Sequence, residues 1–220
     1  MSVRARENQR LLLTIAAGVV VIALFAYGIY FYRSNREKQA QDALATAIDT
    51  IESPLIPATL QPGQTLPPNA KFKTDAERIA AAEPQFKAVS AKFDGTDASD
   101  VASLYLARIS ASRGDVTGAR KLLEEFVSSH KDNVLVGSAR YSLYQLRIDT
   151  GEAQQVATEL NAELSKAEPV LPNDAILSLL AHSYEAQGDA AKSRDTYRRI
   201  ATEFPDSPYV LEAQRRAGAA

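Results

Sequence analysis

Apolar positions along the chain form one continuous block near the start and shorter periodic stripes after it. The block covers residues 11–32, which are 22 positions without a charge, between Arg10 and Arg33. A helix rises about 1.5 Å per residue, so such a helix reaches roughly 33 Å and matches a hydrocarbon core of about 30 Å. Its end carries aromatic rings that favour a membrane interface: Tyr27, Tyr30, Phe31 and Tyr32. The pattern predicts a transmembrane helix over 11–32, after a basic tail over 1–10.

Two alternatives to a retained membrane anchor fit this block less well. A cleaved signal peptide has an apolar region of about 7–15 residues and a small-residue cleavage site soon after it. The present block is longer, and a charged stretch from Arg33 to Lys38 follows it. A buried helix of a soluble protein rarely runs for this length without a polar position. We therefore expect a membrane anchor that stays in the mature protein.

The segment behind the block is predicted to continue as a helix and then to give way to a loop. Ala40, Leu44 and Ala47 fall on one helical stripe, which favours a continuing helix over 33–53. Half of the chain's ten prolines follow, which predicts an extended loop over 54–74: Pro54, Pro57, Pro62, Pro67 and Pro68. Thr74 with Glu77 is typical of a capping box that begins the next helix. Pro84 lies inside that helix and predicts a kink or a restart.

From there to the end the sequence repeats with a period of 37 residues. Gly114, Gly151 and Gly188 mark the period, and an acidic residue follows each. Equivalent positions before and after these glycines are large and apolar: Leu106, Leu143 and Leu180, then Leu123, Leu160 and Tyr197. Glycine permits a tight turn between two helices, and the acidic residue favours the start of the second helix. The pattern predicts an all-α solenoid of stacked helix hairpins over 75–220, with repeats at about 100–136, 137–173 and 174–210 and half-units at both ends.

The composition of the 220 residues excludes several classes of function. The chain has no cysteine, which excludes disulfides, thiolate nucleophiles and metal sites with cysteine ligands. Residues 33–220 carry 22 basic and 26 acidic side chains, a net charge of −4. Such a mildly acidic body lacks the basic footprint that nucleic acid requires, so we expect no nucleic-acid partner.

Side chains that could carry catalysis or hold a cofactor are few. His130 and His182 lie 52 residues apart and form no zinc-hydrolase motif. The sequence also lacks phosphate-binding glycine loops, dinucleotide fingerprints and the nucleophile elbow of hydrolases. His130 stands where a second helix should end, and we expect it to contact the terminal carbonyl groups. We predict no catalytic residue, no cofactor and no metal, and therefore no enzyme.

The last period carries residues at the spacing of a known repeat. They are Leu177, Leu180, Ala181, Tyr184, Gly188, Tyr197 and Pro205, and Ser193 stands where alanine is usual. The first period fits through Leu106, Ala107, Gly114, Ala119, Leu123 and Phe126. The middle one departs, because Tyr144 replaces a small residue and charged side chains stand at apolar or small positions: Arg140, Arg147 and Glu163. Over about 145 residues the chain thus resembles the tetratricopeptide-repeat family, which implies a fold of stacked hairpins.

This resemblance implies a concave face built from the first helix of each hairpin. Counting from each glycine by the usual geometry of the repeat places seven residues there: Tyr105, Arg108, Tyr141, Gln145, His182, Glu185 and, on the terminal helix, Arg215. Tyrosine and arginine are enriched among binding hot spots, and the mixed charges favour a polypeptide partner. The alternative is that these side chains are merely solvated and that a partner binds through the membrane span.

The whole layout resembles the YfgM-like family of single-span proteins of the bacterial inner membrane. The segments that carry this resemblance are RSNREKQAQDALATAI and DVASLYLARISASRGDVTGARKLLEEF. Basic residues tie at three on each side of the span, so charge alone gives no orientation, but the resemblance implies a cytoplasmic N-terminus and periplasmic repeats. It also implies association with Sec translocon subunits and a periplasmic chaperone-isomerase.

A second resemblance supports an alternative function. The ending FPDSPYVLEAQRRAG and the period of 37 residues are similar to the repeat domain of CpoB (YbgF) cell-division coordinators. Those proteins are secreted and have a coiled-coil segment, which this sequence lacks. The leading hypothesis is a membrane-anchored interaction module that assists protein export. The alternative is an envelope or cell-division scaffold without a client-binding role.

Overall fold

Helices make up the fold in the computed structural model, which describes residues 3–59, 65–131 and 133–218, with side chains from residue 18 onwards. In chain order they are α1 Val3–Ile51, α2 Asp75–Lys92, α3 Asp97–Ser112, α4 Val116–Ser129, α5 Val136–Arg147, α6 Ala153–Leu164, α7 Asn173–Ala186, α8 Ala190–Glu203 and α9 Val210–Gly218. The chain divides into two compact units, Met1–Ser99 and Asp100–Ala220. The all-α helix-hairpin fold predicted from the period is confirmed.

The first unit is held by apolar contact between α1 and α2, which pack against each other. The predicted stripe of α1 is buried at Ala40, Leu44 and Ala47. On α2 the buried side chains are those of Ala82, Phe86 and Val89. The sequence places α2 in the solenoid as a terminal half-unit, whereas the structure groups it with α1. The physical reason is that α1 offers an apolar stripe on which these side chains become buried.

The helix α2 begins with the predicted cap, but it does not restart at Pro84. The Thr74 hydroxyl accepts a hydrogen bond from the backbone N–H of Glu77 at 3.2 Å. The Glu77 carboxylate accepts one from the backbone N–H of Lys73 at 2.9 Å, one residue before the position of a standard capping box. The expected restart at Pro84 does not occur, because α2 continues through Pro84 as one helix. The proline ring is exposed and displaces no core contact.

The two arms of the proline-rich loop are tied to each other near α1 and α2. Leu55 and Phe72 form an isolated parallel bridge. The backbone N–H of Ile56 donates to the carbonyl oxygen of Phe72 at 2.8 Å. Pro62, one of the five prolines on which the loop prediction rests, lies outside the described residues.

Apolar side chains near the start of α1 are exposed on every side of the helix. Val19, Val20 and Val21 are consecutive and 56–65% exposed. Successive helical residues turn by about 100°, so such a run covers the circumference. Among the residues that the structure describes, no helix has a stretch long and apolar enough to cross a membrane. The tail and the first seven positions of the expected span, 11–17, have no described side chains.

The second unit is built from three hairpins whose turns lie at the periodic glycines. Gly114, Gly151 and Gly188 have φ angles of +80°, +97° and +78°. These angles lie in the left-handed region, which other residues enter only at a cost in free energy. Asp115 and Asp189 then cap α4 and α8, since their carboxylates accept hydrogen bonds from backbone N–H groups three residues on, at 2.9 and 3.0 Å. The period therefore encodes the turns directly.

The middle hairpin replaces the cap by a charged cluster. Its turn, Ile148–Glu152, is wide, and Glu152 makes no side-chain cap to α6. Instead, the Glu152 carboxylate accepts hydrogen bonds from Arg120 of α4 and, at 2.8 Å, from Nε of Arg147. The two terminal nitrogens of Arg147 donate to the Glu159 carboxylate at 2.8 and 2.7 Å. Arg147 departs from the repeat pattern because it is the centre of this cluster.

Two equivalent polar contacts join successive hairpins, and they lie two periods of 37 residues apart in the sequence. At the first, the carboxylate of Asp100 on α3 accepts a hydrogen bond from the side-chain amide of Asn133. At the second, 74 residues further on, Asp174 on α7 accepts one from the Ser207 hydroxyl at 2.8 Å. His130, at the end of α4, has Nδ1 at 3.2 Å from the Phe126 carbonyl oxygen, as expected, and Nε2 at 3.1 Å from the Asp100 carboxylate.

The core of the second unit comprises two clusters of apolar side chains. The smaller one lies among α3, α4 and α5 and contains Ala107, Leu123, Phe126, Val136 and Ala139. The larger one extends from the turn Ile148–Glu152 to α9 and includes Ile148, Leu160, Leu179, Leu180 and Ile200. Leu180 is only 2% exposed, as its equivalence to Leu106 and Leu143 predicts. Buried apolar surface is the main source of stability for such a stack.

Candidate protein-binding face

An open cleft of about 480 Å³ lies between α3 and α5 in the second unit. Its volume is within the range of about 300–1,000 Å³ that is usual for ligand pockets. The residues that line it are Leu104, Tyr105, Ala107, Arg108, Ala111, Leu123, Ser138, Ser142, Gln145, Leu146 and Asp149. Apolar side chains predominate in the part of this set that comes from α3 and α4, whereas α5 contributes mainly polar groups. Three of the seven residues predicted for the concave face thus line one cleft.

Two polar side chains of this cleft, those of Arg108 and Gln145, have no hydrogen-bond or ion-pair partner among the described residues. Arg108 and Gln145 are exposed. Among the residues that the structure describes, none forms an ion pair with Arg108 or a hydrogen bond with the Gln145 side chain. A guanidinium with five donors and an amide with donors and an acceptor can therefore bind groups of another molecule. We refer to the seven predicted residues as the first-helix face and to the lined space as the cleft.

Tyr141 occupies the middle of the first-helix face and is fixed by its neighbours. Its hydroxyl lies 3.4 Å from Oγ of Ser178 on α7. Its ring stacks on that of Tyr209, with 5.9 Å between the ring centroids and an angle of 11° between the planes. Burial, followed by the nearby Tyr141, raises the pKa of Tyr209 to about 12. The Tyr209 phenol therefore stays neutral over the physiological range of pH and serves as a packing group for the Tyr141 ring.

His182 and Glu185 continue the face along α7. Nε2 of His182 lies 3.5 Å from the carboxylate of Asp149, which also lines the cleft. Glu185 contacts the guanidinium of Arg216 on α9 at 3.2 Å. These two contacts link neighbouring hairpins through exposed or half-exposed polar groups, and a surface ion pair such as that of Glu185 with Arg216 contributes little to stability.

Arg215, the last residue of the prediction, lies on the terminal helix α9. It is exposed and pairs with Glu212 on its own helix. Arg216, one position later, is the residue that reaches Glu185. The 37-residue step relates Arg215 to Ser178 and Tyr141, but α9 is a terminal helix of nine residues, so its neighbours differ from those of α5 and α7.

Several residues of the site were not singled out by sequence reasoning. Asp149 lies in the turn after α5, and Ser138 and Ser142 are small polar residues of α5. Their residue types give no indication of binding, although Ser142 and Asp149 lie one helical turn before and after the predicted Gln145, and Ser138 lies two turns before it. Among the described residues, no group of three or more His, Asp or Glu side chains is placed to hold a metal ion.

The repeat geometry and this surface define a helical scaffold, and the family comparison agrees. Over residues 8–208 the chain matches the family described as tetratricopeptide repeat-like domain. The match covers most of the chain, which therefore belongs to this family. The fold is typical of non-catalytic scaffolds that bind other proteins.

A solved structure with a similar fold comes from Podospora anserina. It is a crystal structure of a protein assigned as a kinesin light chain with nearly identical TPR-like repeats. The sequences are 18% identical, the TM-score is 0.46, and the likeness covers 64% of this chain and 76% of that chain. No curated protein matches this chain.

Proposed function

We propose that this chain is a membrane-anchored interaction module that binds a protein partner on its first-helix face. The observation that carries the proposal is the cleft between α3 and α5, which combines an apolar lining with the unpaired Arg108 and Gln145. Protein-binding surfaces characteristically combine an apolar centre with a polar rim. A mixed set of charges along the same face, from Arg108 to Glu185, suits a polypeptide rather than an anionic polymer.

The anchor in this proposal is the uncharged segment 11–32. Its support is the sequence itself, together with the exposed apolar side chains of α1 between Val19 and Tyr32. A helix that is apolar on every side requires an apolar environment, whether a protein core or a membrane. The proposed topology has the N-terminus in the cytoplasm and the repeats in the periplasm, and it rests on the resemblance to the YfgM-like family.

By the same resemblance, the proposed partners are Sec translocon subunits and a periplasmic chaperone-isomerase, which would make the protein an ancillary factor of protein export. The observation that favours the second candidate, an envelope or cell-division scaffold, is the CpoB-like ending FPDSPYVLEAQRRAG, most of which forms α9 and the turn before it. The identity of the copurified proteins separates the two candidates.

Affinity purification of the full chain from solubilised membranes tests the binding face. The test variant combines Arg108→Ala, Gln145→Ala and His182→Ala, because none of these side chains belongs to the core. The matched control combines Lys121→Ala, Glu124→Ala and Gln155→Ala, three exposed positions on second helices. We expect the test variant to lose its partner and the control to retain it, with both folded by circular dichroism.

The opposite outcome assigns the association to another part of the chain. If the test variant retains its partner, the first-helix face is not the binding surface. An additional variant in which residues 11–32 are exchanged for an unrelated apolar span then shows whether the anchor carries the association.

A further inference from the structure

The cleft lies between the first and second hairpins. In the equivalent space between the second and third hairpins, larger side chains stand at three of the corresponding positions. Because the period is 37 residues, Ala107, Ala111 and Ser142 of the cleft correspond to Tyr144, Ile148 and Leu179. Ile148 and Leu179 are 2% and 1% exposed and belong to one core cluster, against which Tyr144 is packed. At these three positions the second interface therefore has larger side chains than the cleft, whereas the cleft residues Tyr105 and Leu146 correspond to the smaller Ser142 and Ser183.

This internal comparison shows what kind of group fits the cleft. Three large side chains, two aliphatic and one aromatic, occupy the equivalent positions of the second interface. Leu104, Leu123 and Leu146 remain in the cleft as apolar walls. An apolar cavity that is too large for its own side chains favours a bulky apolar group from elsewhere, since contact with that group removes apolar surface from water.

The charged residues of the cleft further limit which groups of a partner it can bind. Arg108 and Asp149 are its two charged residues. The Asp149 carboxylate already lies 3.5 Å from His182. Arg108 has no ion pair among the described residues, so its guanidinium is the unpaired charge. The exposed amide of Gln145 offers a donor and an acceptor to a peptide backbone.

We propose that the cleft binds a bulky apolar side chain of a partner polypeptide and that Arg108 binds an Asp or Glu side chain next to it. The proposal rests on the proposed function, because it names the chemistry that this protein-binding face recognises. The apolar group supplies affinity by burial, and the charge-assisted hydrogen bond with Arg108 orients the segment.

A cleft-filled variant tests the proposal by restoring the side chains of the second interface. It combines Ala111→Ile and Ser142→Leu. Its control makes the same two changes at the end of α6, as Ala162→Ile in its last turn and Ser165→Leu at its C-cap, where both positions are exposed and outside the cleft. We expect the cleft-filled variant to melt at a higher temperature than the unmodified chain and the control to melt at an unchanged one. If the double change prevents folding, Ser142→Leu alone is used.

The probe is a phage library of random peptides, selected on the full chain and counter-selected on the cleft-filled variant. We expect enriched peptides to share a bulky apolar residue beside Asp or Glu. A fluorescent synthetic copy should bind the cleft-filled variant about tenfold or more weakly, and the α6 control normally. Arg108→Gln should weaken the acidic peptide about tenfold and leave its amide counterpart, with Asn or Gln at the acidic position, unchanged.

Three outcomes would overturn the proposal. The first is a library without peptides that distinguish the two proteins, and the second is equal binding to the cleft-filled variant. The third is binding that requires a free C-terminal carboxylate instead of an acidic side chain. Failure of this proposal is distinguishable from failure of the proposed function. If the cleft-filled chain retains its copurifying partner and the Arg108, Gln145 and His182 variant loses it, only the proposed role of the cleft is disproved.

Discussion

At the scale of single residues, Leu180 is a test of how the repeat register relates to the core. Its side chain is 2% exposed and lies in the larger core cluster. Removal of a buried leucine side chain typically costs about 2–5 kcal/mol through lost burial and a residual cavity. We expect Leu180→Ala to lower the free energy of unfolding by this amount in urea denaturation of the full chain. Leu211→Ala is the control, since Leu211 is 72% exposed.

The two leucines give a clear criterion for the register. Exposed substitutions usually change stability by no more than about 0.5 kcal/mol. A change of that size for Leu180→Ala would mean that Leu180 is not a core residue and that the equivalence with Leu106 and Leu143 is misplaced.

For Ser183, on the same helix as Leu180, we expect substitution by alanine to have the opposite effect on stability. It is fully buried, and its hydroxyl finds no hydrogen-bond partner among the described residues. A buried polar group without a partner is destabilising, so Ser183→Ala should leave stability unchanged or raise it by up to about 1 kcal/mol. Ser207→Ala is the contrast, because the Ser207 hydroxyl donates to Asp174 at 2.8 Å. Thermal unfolding followed by circular dichroism should place the melting temperature of Ser183→Ala above that of Ser207→Ala.

At the scale of elements, the ionic contacts of the second unit determine how it responds to acid. Hydrogen bonds from Arg147, then from Arg120, lower the pKa of Glu152. Likewise, Arg199 lowers the pKa of Glu203, and Arg216 lowers that of Glu212. A carboxylate with a lowered pKa in the folded state stabilises the protein above its unfolded pKa, which is about 4.3 for Glu. That contribution is lost as the pH falls through the folded pKa.

We therefore expect the urea midpoint to be constant above about pH 5 and to fall below about pH 4. Arg147→Gln should make this decrease shallower, because Glu152 loses the hydrogen bond that lowers its pKa most. Lys121→Gln is the control, since Lys121 forms only an exposed pair with Glu125 at 3.7 Å. An identical pH profile for Arg147→Gln and the unmodified chain would contradict the proposed effect of the cluster.

At the scale of the whole molecule, the proposed topology predicts on which side of the membrane the repeats lie. A reporter that is active only in the periplasm, fused after Ala220, should be active, and a reporter that is active only in the cytoplasm should be silent. Exchange of Arg4, Arg6 and Arg10 for neutral residues should reduce the periplasmic signal, because basic residues before the span favour its cytoplasmic side. Activity of the cytoplasmic reporter in the unmodified chain would reverse the topology.

The sequence by itself determined the local features of this protein. The 37-residue spacing of Gly114, Gly151 and Gly188 located the three turns, because a left-handed φ is a property of the single residue. Thr74, Asp115 and Asp189 were readable as caps for the same reason, since a cap bonds to the backbone within three residues. Leu180 could be predicted as core because a leucine recurs at the same position of each 37-residue period.

Only the tertiary structure decided which of these elements meet. The assignment of α2 to α1, the cluster centred on Arg147 and the contact of Arg216 with Glu185 join residues that are far apart in sequence or that belong to a departing repeat. The cleft shows the reason most clearly. Ala111 and Ser142 are small residues that the repeat pattern does not single out, and the cleft that they line exists only because α3 and α5 face each other across it. Such a space depends on the packing of helices, which local propensity does not encode.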